Sequence, residues 1–550
     1  MPWTTYARPV NPVDELSDRY VGRLAATDPC LAAMMGIAGH DGALTDYGPD
    51  GFAARHELAE RTLTELTAVP LGSDAQRRAA AVLRDRLEIE LARFAAGYVE
   101  ADLNTIDSPP QRLRQAIEVL DQGERTVEAD MRSRLAGIPE ALAGLRATLE
   151  RGRQQGRVSA VRQVVNCARQ SKEFADYLDT LPGHFRAETE RAGAALLEFA
   201  AYLTEGLAPY APARDAVGSE RYALEARNFL GSEIDLVETY DWGWRELARL
   251  ESEMRAVGAH IRPGEPLPAV LAALDADPAH RASGVDQFRG WIQELADRAI
   301  ADLDGVHFDI PEPLRRLECR VPGSNTGIYY LAPAEDLSRP GIVWYSVTEE
   351  QPATWSVPSV MFHEGAPGHH LQLGLNVLNT RTLNRFQRLS AELHVGHSEG
   401  WGLYAERLMD ELGCYELPAH RMGMLAGGQQ LRAVRVIVDI GLHLELSIPH
   451  GVGFHDGEPW TPELAVEFVR DRSGSIGGEE FARFQVDRYL GLPGQAIAYK
   501  VGERSWLAAR AAAQSRQGAR FDLRTFHKTA LDLGPMGLDL LTTELARLLT

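Results

Sequence analysis

The chain has 550 residues, of which 45% are hydrophobic and 25% charged, and its formal net charge is −21 at pH 7. This composition is typical of a soluble globular protein, and the length exceeds what one simple compact core usually holds. The acidic balance argues against nucleic acid and anionic membranes as partners. It does not exclude a small substrate, because a local basic pocket can coexist with an acidic surface.

The four cysteines are widely scattered and form no C-x-x-C pair. This pattern favours reduced thiols over a disulfide framework or a cysteine-rich zinc site. Residues 1–6 show neither the basic segment nor the apolar segment of a signal peptide, and no apolar run reaches the ~18 residues of a membrane span. We therefore predict a cytoplasmic protein.

Residues up to about 310 have the pattern of successive helices. Ser73-Asp74 is suited to cap a helix, and apolar residues then recur at helical spacing through Ala95. Three further helices are predicted over residues 123–154, 158–181 and 187–205. We find no fixed-period repeat, which argues against a solenoid.

The pattern changes after Pro311. Residues 327–331 and 341–347 are short, aromatic and β-branched, which predicts two strands. Such a strand can pair with an extended substrate backbone beside a cleft, but a small sheet that braces the helices explains it equally well. We predict a helical N-terminal lobe over residues 1–310 and a second lobe over residues 311–550, as lobes of one unit.

Residues 361–372 contain the pattern of a zinc hydrolase, a His-Glu pair followed by further histidines. The imidazole of His363 can bind zinc, and the carboxylate of Glu364 can take a proton from the water that the metal activates. In the familiar H-E-x-x-H motif the second histidine comes four residues after the first. Here that position is Pro367.

His369 and His370 remain as partners for His363. On an unbroken helix, His369 would point about 120° away, and His370 would lie about 10 Å further along the axis. The Pro-Gly pair at residues 367–368 allows a helix to bulge. If two residues loop out, His369 becomes the second ligand, so we predict His363 and His369, with His370 as the alternative. A helix end with surface histidines would show the same residues.

A third ligand is expected from another element, and a glutamate is the usual complement to two histidines. Residues 386–412 are predicted to form one helix, and Glu399 on that helix is our choice. Glu406 follows two turns later, and we expect it to be exposed or to support a ligand. His394 and His397 are rival ligands, although each is equally suited to packing or to the surface.

The next helix carries Arg435, Asp439 and His443 at spacings i, i+4 and i+8, so they share one face. The rest of that helix is apolar, which indicates burial. Buried charges need partners and often line a site. A structural ladder of ion pairs would look the same, and we slightly favour a functional role.

Residues 488–500 join the end of one helix to the start of the next through Pro-Gly. Hydrolysis at zinc needs a hydrogen-bond donor for the oxyanion, and Tyr499 or Tyr489 has the required phenolic O–H. Arg488 has the charge to bind a substrate carboxylate. Taken alone these assignments are weak, since a tyrosine in a helix usually serves packing.

Together these segments resemble a family of bacterial proteins that are classed as a domain of unknown function and suspected to be zinc peptidases. Its signature is H-E-x-x-P-G-H-H, E-G-W-x-L-Y-x-E, a helix with spaced Arg, Asp and His, and P-G-Q-A-x-x-Y-K. The matching residues of this chain, in the same order, are 363–370, 399–406, 435–443 and 493–500. Gly365 and Gly402 stand where alanine is more usual.

The resemblance implies a mainly α-helical, two-lobed protein with a deep cleft and a small β-sheet near the metal site. Such a fold is similar to that of zinc carboxypeptidases and oligopeptidases. The motif also resembles that of dipeptidyl peptidases with H-E-x-x-G-H, which favours His369 because it too follows a glycine. Many members of the family look exported, whereas this chain shows no signal.

We expect a zinc-dependent metallopeptidase that hydrolyses short peptides, with zinc held by the three predicted ligands. Glu364 would be the general base, and Tyr499 would stabilise the oxyanion. Arg435 or Arg488 would bind a substrate carboxylate, and His443 is a further catalytic candidate. Two alternatives stay open. One is a zinc amidohydrolase acting on a non-peptide amide, and the other is a non-catalytic peptide- or metal-binding protein.

Overall fold

The computed structural model describes residues 11–121, 128–322, 327–472 and 478–549, which form a mainly α-helical protein with one small sheet. The α-helices before residue 310 are α1 (Pro12–Thr27), α2 (Pro29–Met34), α3 (Pro49–Ala68), α4 (Asp74–Ala95), α5 (Pro109–Asp121), α6 (Glu128–Gln154), α7 (Val161–Leu178), α8 (Arg186–Ala201), α9 (Gly218–Leu230), α10 (Leu236–Ile261), α11 (Leu267–Ala276) and α12 (Val285–Leu303).

The α-helices after residue 310 are α13 (Val357–Glu364), α14 (His369–Leu378), α15 (Arg385–Leu389), α16 (Val395–Glu411), α17 (Pro418–Gly423), α18 (Leu431–His443), α19 (Pro462–Arg472), α20 (Gly478–Gly491), α21 (Ala498–Gln517), α22 (Leu523–Asp532) and α23 (Leu538–Leu548). Two π-helical segments are Tyr202–Leu207 and Met424–Gln430. Short 3-10 turns are Tyr98–Ala101, Gly183–Phe185, Ala208–Tyr210, Pro278–His280, Glu312–Leu314, Ala391–Leu393 and Gly518–Arg520.

The four helices predicted in the first half correspond to α4, α6, α7 and α8, with ends that differ by a few residues. Ser73 caps α4 as expected: its hydroxyl accepts a hydrogen bond from the backbone N–H of Gln76, and the Gln76 side-chain oxygen accepts one from the backbone N–H of Ser73. Residues 123–127 of the second predicted helix lie outside the described residues. The last predicted helix continues beyond α8 as the π-helical segment.

The sheet contains the two predicted strands and one that was missed. Its strands are β1 (Leu317–Arg320), β2 (Ile328–Leu331) and β3 (Gly341–Tyr345), in the order β1-β3-β2. β3 runs parallel to β1 and antiparallel to β2, so β2 is an edge strand. β1 was missed because its sequence, Leu-Glu-Cys-Arg, lacks the β-branched and aromatic residues that mark a strand.

The single helix predicted over residues 386–412 is wrong. The chain forms α15, then the 3-10 turn Ala391–Leu393, and only then α16. His394 leaves the helical conformation, with φ −123° and ψ 57°, and therefore separates the turn from α16. The apolar spacing hid this break because the larger apolar residues on both sides of it face the same core.

The larger hydrophobic core contains side chains from both sides of residue 310, from Val13 near the start to Leu549 near the end. A second core lies within residues 30–207 and is formed chiefly by α5 to α8. The division into lobes at residue 310 stays a prediction. Of the helices in the described ranges, none combines the length and apolarity that crossing a membrane requires.

Helices α16 and α21 pack closely, which sets one side of the candidate site. A Cβ atom added to Gly400 of α16 would lie 2.5 Å from the Cα atom of Gly502 in α21, so only glycine allows this approach. Beside the crossing, the rings of Trp401 and Trp506 pack edge to face, with centroids 5.0 Å apart. The crossing fixes the first turns of both helices relative to each other.

Candidate metal centre

The two motif histidines come from consecutive helices rather than from one bulged helix. α13 ends at Glu364, residues 365–368 form a turn, and α14 begins at His369. The indole Nε1 of Trp401 donates a hydrogen bond to the carbonyl oxygen of Pro367 at 2.8 Å and thereby holds the turn against α16. We predicted that two residues loop out of one helix, whereas here one helix ends and a second begins. It brings the rings of His363 and His369 to a centroid distance of 4.8 Å.

These histidines and Glu399 form a cluster with the spacing of a tetrahedral metal site. Nε2 of His363 lies 3.2 Å from Oε2 of Glu399, and Nε2 of His369 lies 3.6 Å from the same oxygen. Ligand atoms about 2.0–2.1 Å from a tetrahedral zinc ion are roughly 3.3–3.4 Å apart. One ligand atom from each of the three residues lies within 4.8 Å of the others. The residues thus fit a zinc ion with a fourth position left for water.

A second carboxylate orients the first histidine. Oε1 of Glu406 lies 2.8 Å from Nδ1 of His363, and the hydroxyl of Ser359 donates to the other oxygen of Glu406 at 2.6 Å. With the proton on Nδ1 donated to Glu406, Nε2 presents its lone pair to the cluster. Glu406 is 2% exposed, so of the two roles expected for it, support of a ligand is the one that the geometry fits.

Gly402 makes room for the same ring. A Cβ atom at this position would lie 2.5 Å from Cε1 of His363, so an alanine there would displace the ring or the helix. In this chain the glycine therefore contributes to the position of the imidazole, although it supplies no ligand atom.

His370 points away from the cluster. Its Nε2 lies 2.9 Å from the carbonyl oxygen of Leu314, and its Nδ1 lies 3.0 Å from the hydroxyl of Tyr330. Nε2–H therefore donates to the carbonyl while Nδ1 accepts from the phenol, and both nitrogens are engaged. Burial lowers the pKa of His370 to about 4, which keeps the ring neutral at pH 7. Between the two alternatives, the geometry favours His369 as the ligand.

The rival histidines at the start of α16 also lie outside the cluster. Nδ1 of His397 is 3.1 Å from the Gln372 amide nitrogen, and its ring packs against Trp506 with a centroid distance of 5.2 Å. His394 is buried, and burial lowers the pKa of its imidazole. Among the described residues, the group of possible metal ligands consists of His363, His369 and Glu399 alone.

The electrostatics of the cluster favour a cation. Burial lowers the pKa of His363, but its hydrogen bonds with Glu399 and Glu406 outweigh burial and raise the pKa to about 10. Burial raises the pKa of Glu364, while the two neighbouring imidazoles oppose that shift. The carboxylates thus stabilise positive charge at this point, which a divalent cation supplies.

The cluster opens into a cavity of about 290 Å³. His363, His369, Glu364 and Glu399 line one wall, and strand β2 contributes Ile328, Tyr329 and Tyr330. The side chains of Arg432, Arg435, Arg488 and Tyr499 also line the cavity. A larger cavity of about 520 Å³ lies elsewhere, and none of the predicted site residues lines it.

Residues 29–545 match a family model described as a bacterial protein of unknown function, DUF885. The chain belongs to this family. Two solved structures resemble this DUF885 protein over nearly their whole length. A putative lipoprotein from Colwellia psychrerythraea has a TM-score of 0.81 and 21% identity, covering 98% of this chain and 100% of that one. A putative lipoprotein of unknown function from Shewanella oneidensis has a TM-score of 0.73 and 16% identity, covering 97% and 100%.

At these identities the likeness to the two structures shows only the fold of the DUF885 protein. None of the curated proteins compared with the chain matches it.

The charged face predicted on α18 is divided in this DUF885 protein. Arg435 lines the cavity, but His443 does not: its Nε2 lies 2.9 Å from the Tyr489 carbonyl oxygen and its Nδ1 accepts from the Val217 N–H at 3.4 Å. The three residues share a face, but that face runs along about 12 Å of helix and passes beyond a cavity of this size. His443 therefore lies outside the cavity, and its catalytic role stays a prediction.

Of the two candidate tyrosines, only Tyr499 reaches the cavity. Its hydroxyl accepts a hydrogen bond from Nη2 of Arg488 at 3.3 Å, and its own proton has no acceptor among the described residues. The Tyr489 hydroxyl lies behind Arg435, accepts from its Nε at 3.2 Å and donates to Gln485. Tyr499 is thus free to donate to a ligand in the cavity.

Two cavity residues were missed from the sequence. Arg432 was visible on the same helix as Arg435, three residues earlier, and this i, i+3 spacing puts both on one face. Glu392 lies in the 3-10 turn before α16, next to Glu364, His369 and Glu399. The sequence held no signal for it, because the predicted continuous helix concealed that turn.

Proposed function

We propose that the protein is a zinc-dependent metallopeptidase that hydrolyses short peptides. The observation that carries the proposal is the spacing of His363, His369 and Glu399 around a point where zinc would have three protein ligands. Three ligands and an open fourth position are typical of catalytic rather than structural zinc. Beside them, the Glu364 carboxylate lines the cavity and has no hydrogen-bond partner among the described residues.

Bound zinc would act as a Lewis acid and lower the pKa of an adjacent water to about 7. Glu364 then accepts a proton from the attacking water and returns it to the amine that leaves. Tyr499 donates its hydroxyl proton in a hydrogen bond to the carbonyl oxygen as negative charge develops there. Glu406 keeps the ligand nitrogen of His363 oriented throughout.

A peptide substrate suits the surroundings of the cluster. Strand β2 is an edge of the sheet and contributes to the cavity, so its backbone can pair with an extended peptide. The cavity volume lies near the lower end of the ~300–1,000 Å³ of small-molecule sites, which favours a short peptide. We also propose that the site resembles those of zinc carboxypeptidases and oligopeptidases.

We propose the cytoplasm as the location, because the four cysteines are unpaired and three of them are buried. The solved structures that share this fold are described as putative lipoproteins, which favours the cell envelope instead. Fractionation of cells followed by immunoblotting decides between the two. Recovery in the membrane or periplasmic fraction would contradict a cytoplasmic protein.

Glu364→Gln tests the mechanism. The variant keeps the size of the side chain but removes the base, so we expect it to bind zinc normally and to lose about 10²–10⁴ in kcat on peptide substrates. Glu411→Gln, which changes an exposed carboxylate paired with Arg510, is the matched control and should hydrolyse normally. Equal turnover by the Glu364→Gln variant and the wild type would remove Glu364 from the mechanism.

The substrates of this assay separate the alternatives. Short peptides should be hydrolysed and acylated amino acids should not. Hydrolysis restricted to acylated amino acids would indicate an amidohydrolase. A zinc-loaded protein that binds peptides without hydrolysing any would be a binding protein.

A further inference from the structure

Three arginines, Arg432, Arg435 and Arg488, line the cavity beside the metal cluster. Within the described residues, none of the three forms an ion pair with a carboxylate. Every acceptor that they bind is neutral.

Arg435 is the most deeply buried of the three, at 5% exposure. Its Nε donates to the Tyr489 hydroxyl and its Nη2 donates to the Gln485 side-chain oxygen, each at 3.2 Å. Its Nη1 has no hydrogen-bond partner. A buried charge without an ion-pair partner and without a full set of hydrogen bonds opposes folding.

The other two arginines also have N–H groups without a hydrogen-bond acceptor. Nη2 of Arg488 donates to the Gln495 side chain at 2.6 Å and to the Tyr499 hydroxyl at 3.3 Å, while its Nε has no acceptor. Nη1 of Arg432 donates to the Gly427 carbonyl oxygen, and its Nε also has no acceptor. Each guanidinium therefore keeps at least one N–H without a partner.

The three guanidinium groups converge on one side chain. The Cζ atoms of Arg435 and Arg432 lie 4.8 and 5.6 Å from the centre of the Tyr499 ring, and Arg488 binds the hydroxyl of that ring. Burial and the nearby charge of Arg435 lower the pKa of Arg432, while the nearby carboxylates of Glu406 and Glu399 oppose that shift. An anion among these groups would reduce their repulsion and accept from the free donors.

We infer that the cavity binds the C-terminal end of a peptide whose last residue is aspartate or glutamate. One carboxylate engages one guanidinium fully, in a bidentate pair, and leaves two cations without a partner. The α-carboxylate and the side-chain carboxylate of an acidic C-terminal residue together supply two anions to the three arginines.

The charges that line the cavity fix the direction of such a peptide. The guanidinium groups attract its anionic end and the carboxylates of Glu364 and Glu392 repel it, so that end lies against the arginines and the peptide bond before it faces the cluster. This inference rests on the proposed function for its chemistry. Water adds to the carbonyl carbon, the C–N bond breaks, the proton taken by Glu364 passes to the amine, and an acidic amino acid leaves.

Three peptides that differ only in charge test the inference: Ala-Ala-Glu, Ala-Ala-Gln and Ala-Ala-Glu-amide. We expect kcat/KM to fall at least about tenfold for each carboxylate lost, chiefly through KM. In Arg432→Gln, Arg435→Gln and Arg488→Gln the ratio of kcat/KM for Ala-Ala-Glu to that for Ala-Ala-Gln should fall toward one. Arg504→Gln, which removes an exposed cation paired with Glu238, is the matched control and should keep the wild-type ratio.

Binding to the zinc-loaded Glu364→Gln variant, measured by calorimetry, keeps this test independent of turnover. Ala-Ala-Glu should bind at least about tenfold more tightly than Ala-Ala-Gln, and equal affinities would overturn the inference. Hydrolysis of all three peptides at equal rates would overturn it while leaving the peptidase in place. Preferential binding of Ala-Ala-Glu without hydrolysis by the wild type would instead contradict the proposed function alone.

Discussion

Lys500 and the three arginines of the cavity lie close to Tyr499 and bind different kinds of partner. Lys500 is 1% exposed, lies 3.1 Å from a Glu246 carboxylate oxygen and also bonds Glu503 and Gln429. The arginines that line the cavity next to Tyr499 bind neutral acceptors only. Lys500 thus has carboxylate partners within bonding distance, whereas the three arginines have none in the described part of the chain and keep N–H donors for a ligand. We therefore assign Lys500 to stability and the arginines to binding.

Replacing Lys500 should lower the stability of the folded protein strongly. Lys500→Met keeps a similar size but leaves the Glu503 carboxylate, itself 2% exposed, without its cation. We expect the free energy of unfolding, measured with urea, to fall by about 3–5 kcal/mol. Arg504→Met on the same helix removes an exposed ion pair and should cost less than about 1 kcal/mol. Equal losses for both variants would show that the Lys500 network is not a stabilising unit.

Asp439 is a buried carboxyl group that a proton, rather than a counter-charge, neutralises. Burial raises its pKa to about 8, despite hydrogen bonds from the Tyr222 hydroxyl and the Gly494 N–H. In the unfolded chain this pKa is about 3.9, so the folded state holds the extra proton between about pH 4 and pH 8. The stabilisation is therefore complete below about pH 4 and is lost as the pH rises to about 8.

Asp439→Asn removes this titration while keeping an oxygen for both hydrogen bonds. The difference in unfolding free energy between variant and wild type should increase in favour of the variant from pH 4 to pH 8. The expected slope is up to about 1.4 kcal/mol per pH unit. Urea unfolding at several pH values measures it. A difference that stays constant over this range would mean that Asp439 is charged in the folded protein.

The carboxylates of the metal cluster are suited to bind a cation, and Glu406 supports one of the ligands. Glu406→Gln weakens the partner of His363 Nδ1 without touching a ligand atom. We expect zinc affinity to fall about 10–100-fold, as is usual when such a supporting carboxylate is changed. Competition with a chelator of known affinity measures the change. Affinity equal to that of the wild type would contradict the role assigned to Glu406.

We expect the smallest effect on the free energy of unfolding at Arg435, whose charge we assign to binding alone. Arg435→Met removes a buried charge that has no counter-charge, and a hydrophobic replacement of such a group is often neutral or stabilising. Its lost hydrogen bonds to Tyr489 and Gln485 oppose that gain. We expect the free energy of unfolding to change by no more than about 1 kcal/mol in either direction. A loss as large as that of Lys500→Met would make Arg435 structural.

The sequence predicted those parts of the molecule that depend on local patterns. The helical spacing and the cap at Ser73 gave α4, and the β-branched segments gave β2 and β3. The motifs also predicted that His363, His369 and Glu399 lie together, since spacing along a helix determines which residues share a face. What was missed depends on contacts between distant segments.

His370 shows this limit well. Its neighbour in sequence joins the cluster, and only the packing of Leu314 and Tyr330, 40 and more residues earlier, turns His370 the other way. The grouping of the three arginines around Tyr499 likewise needs α18, α20 and α21 in contact, which no single segment encodes. His443 was misplaced for the same reason, because helical periodicity gives a direction around the axis but not the extent of the cavity along it.

Elemental analysis of the purified protein shows whether His363, His369 and Glu399 hold zinc. We predict about one zinc per chain in the wild type and in His370→Asn, and none in a folded His363→Ala variant. A wild-type protein that stays free of metal after zinc is supplied would contradict the account. Zinc retained in full by His363→Ala would do so as well.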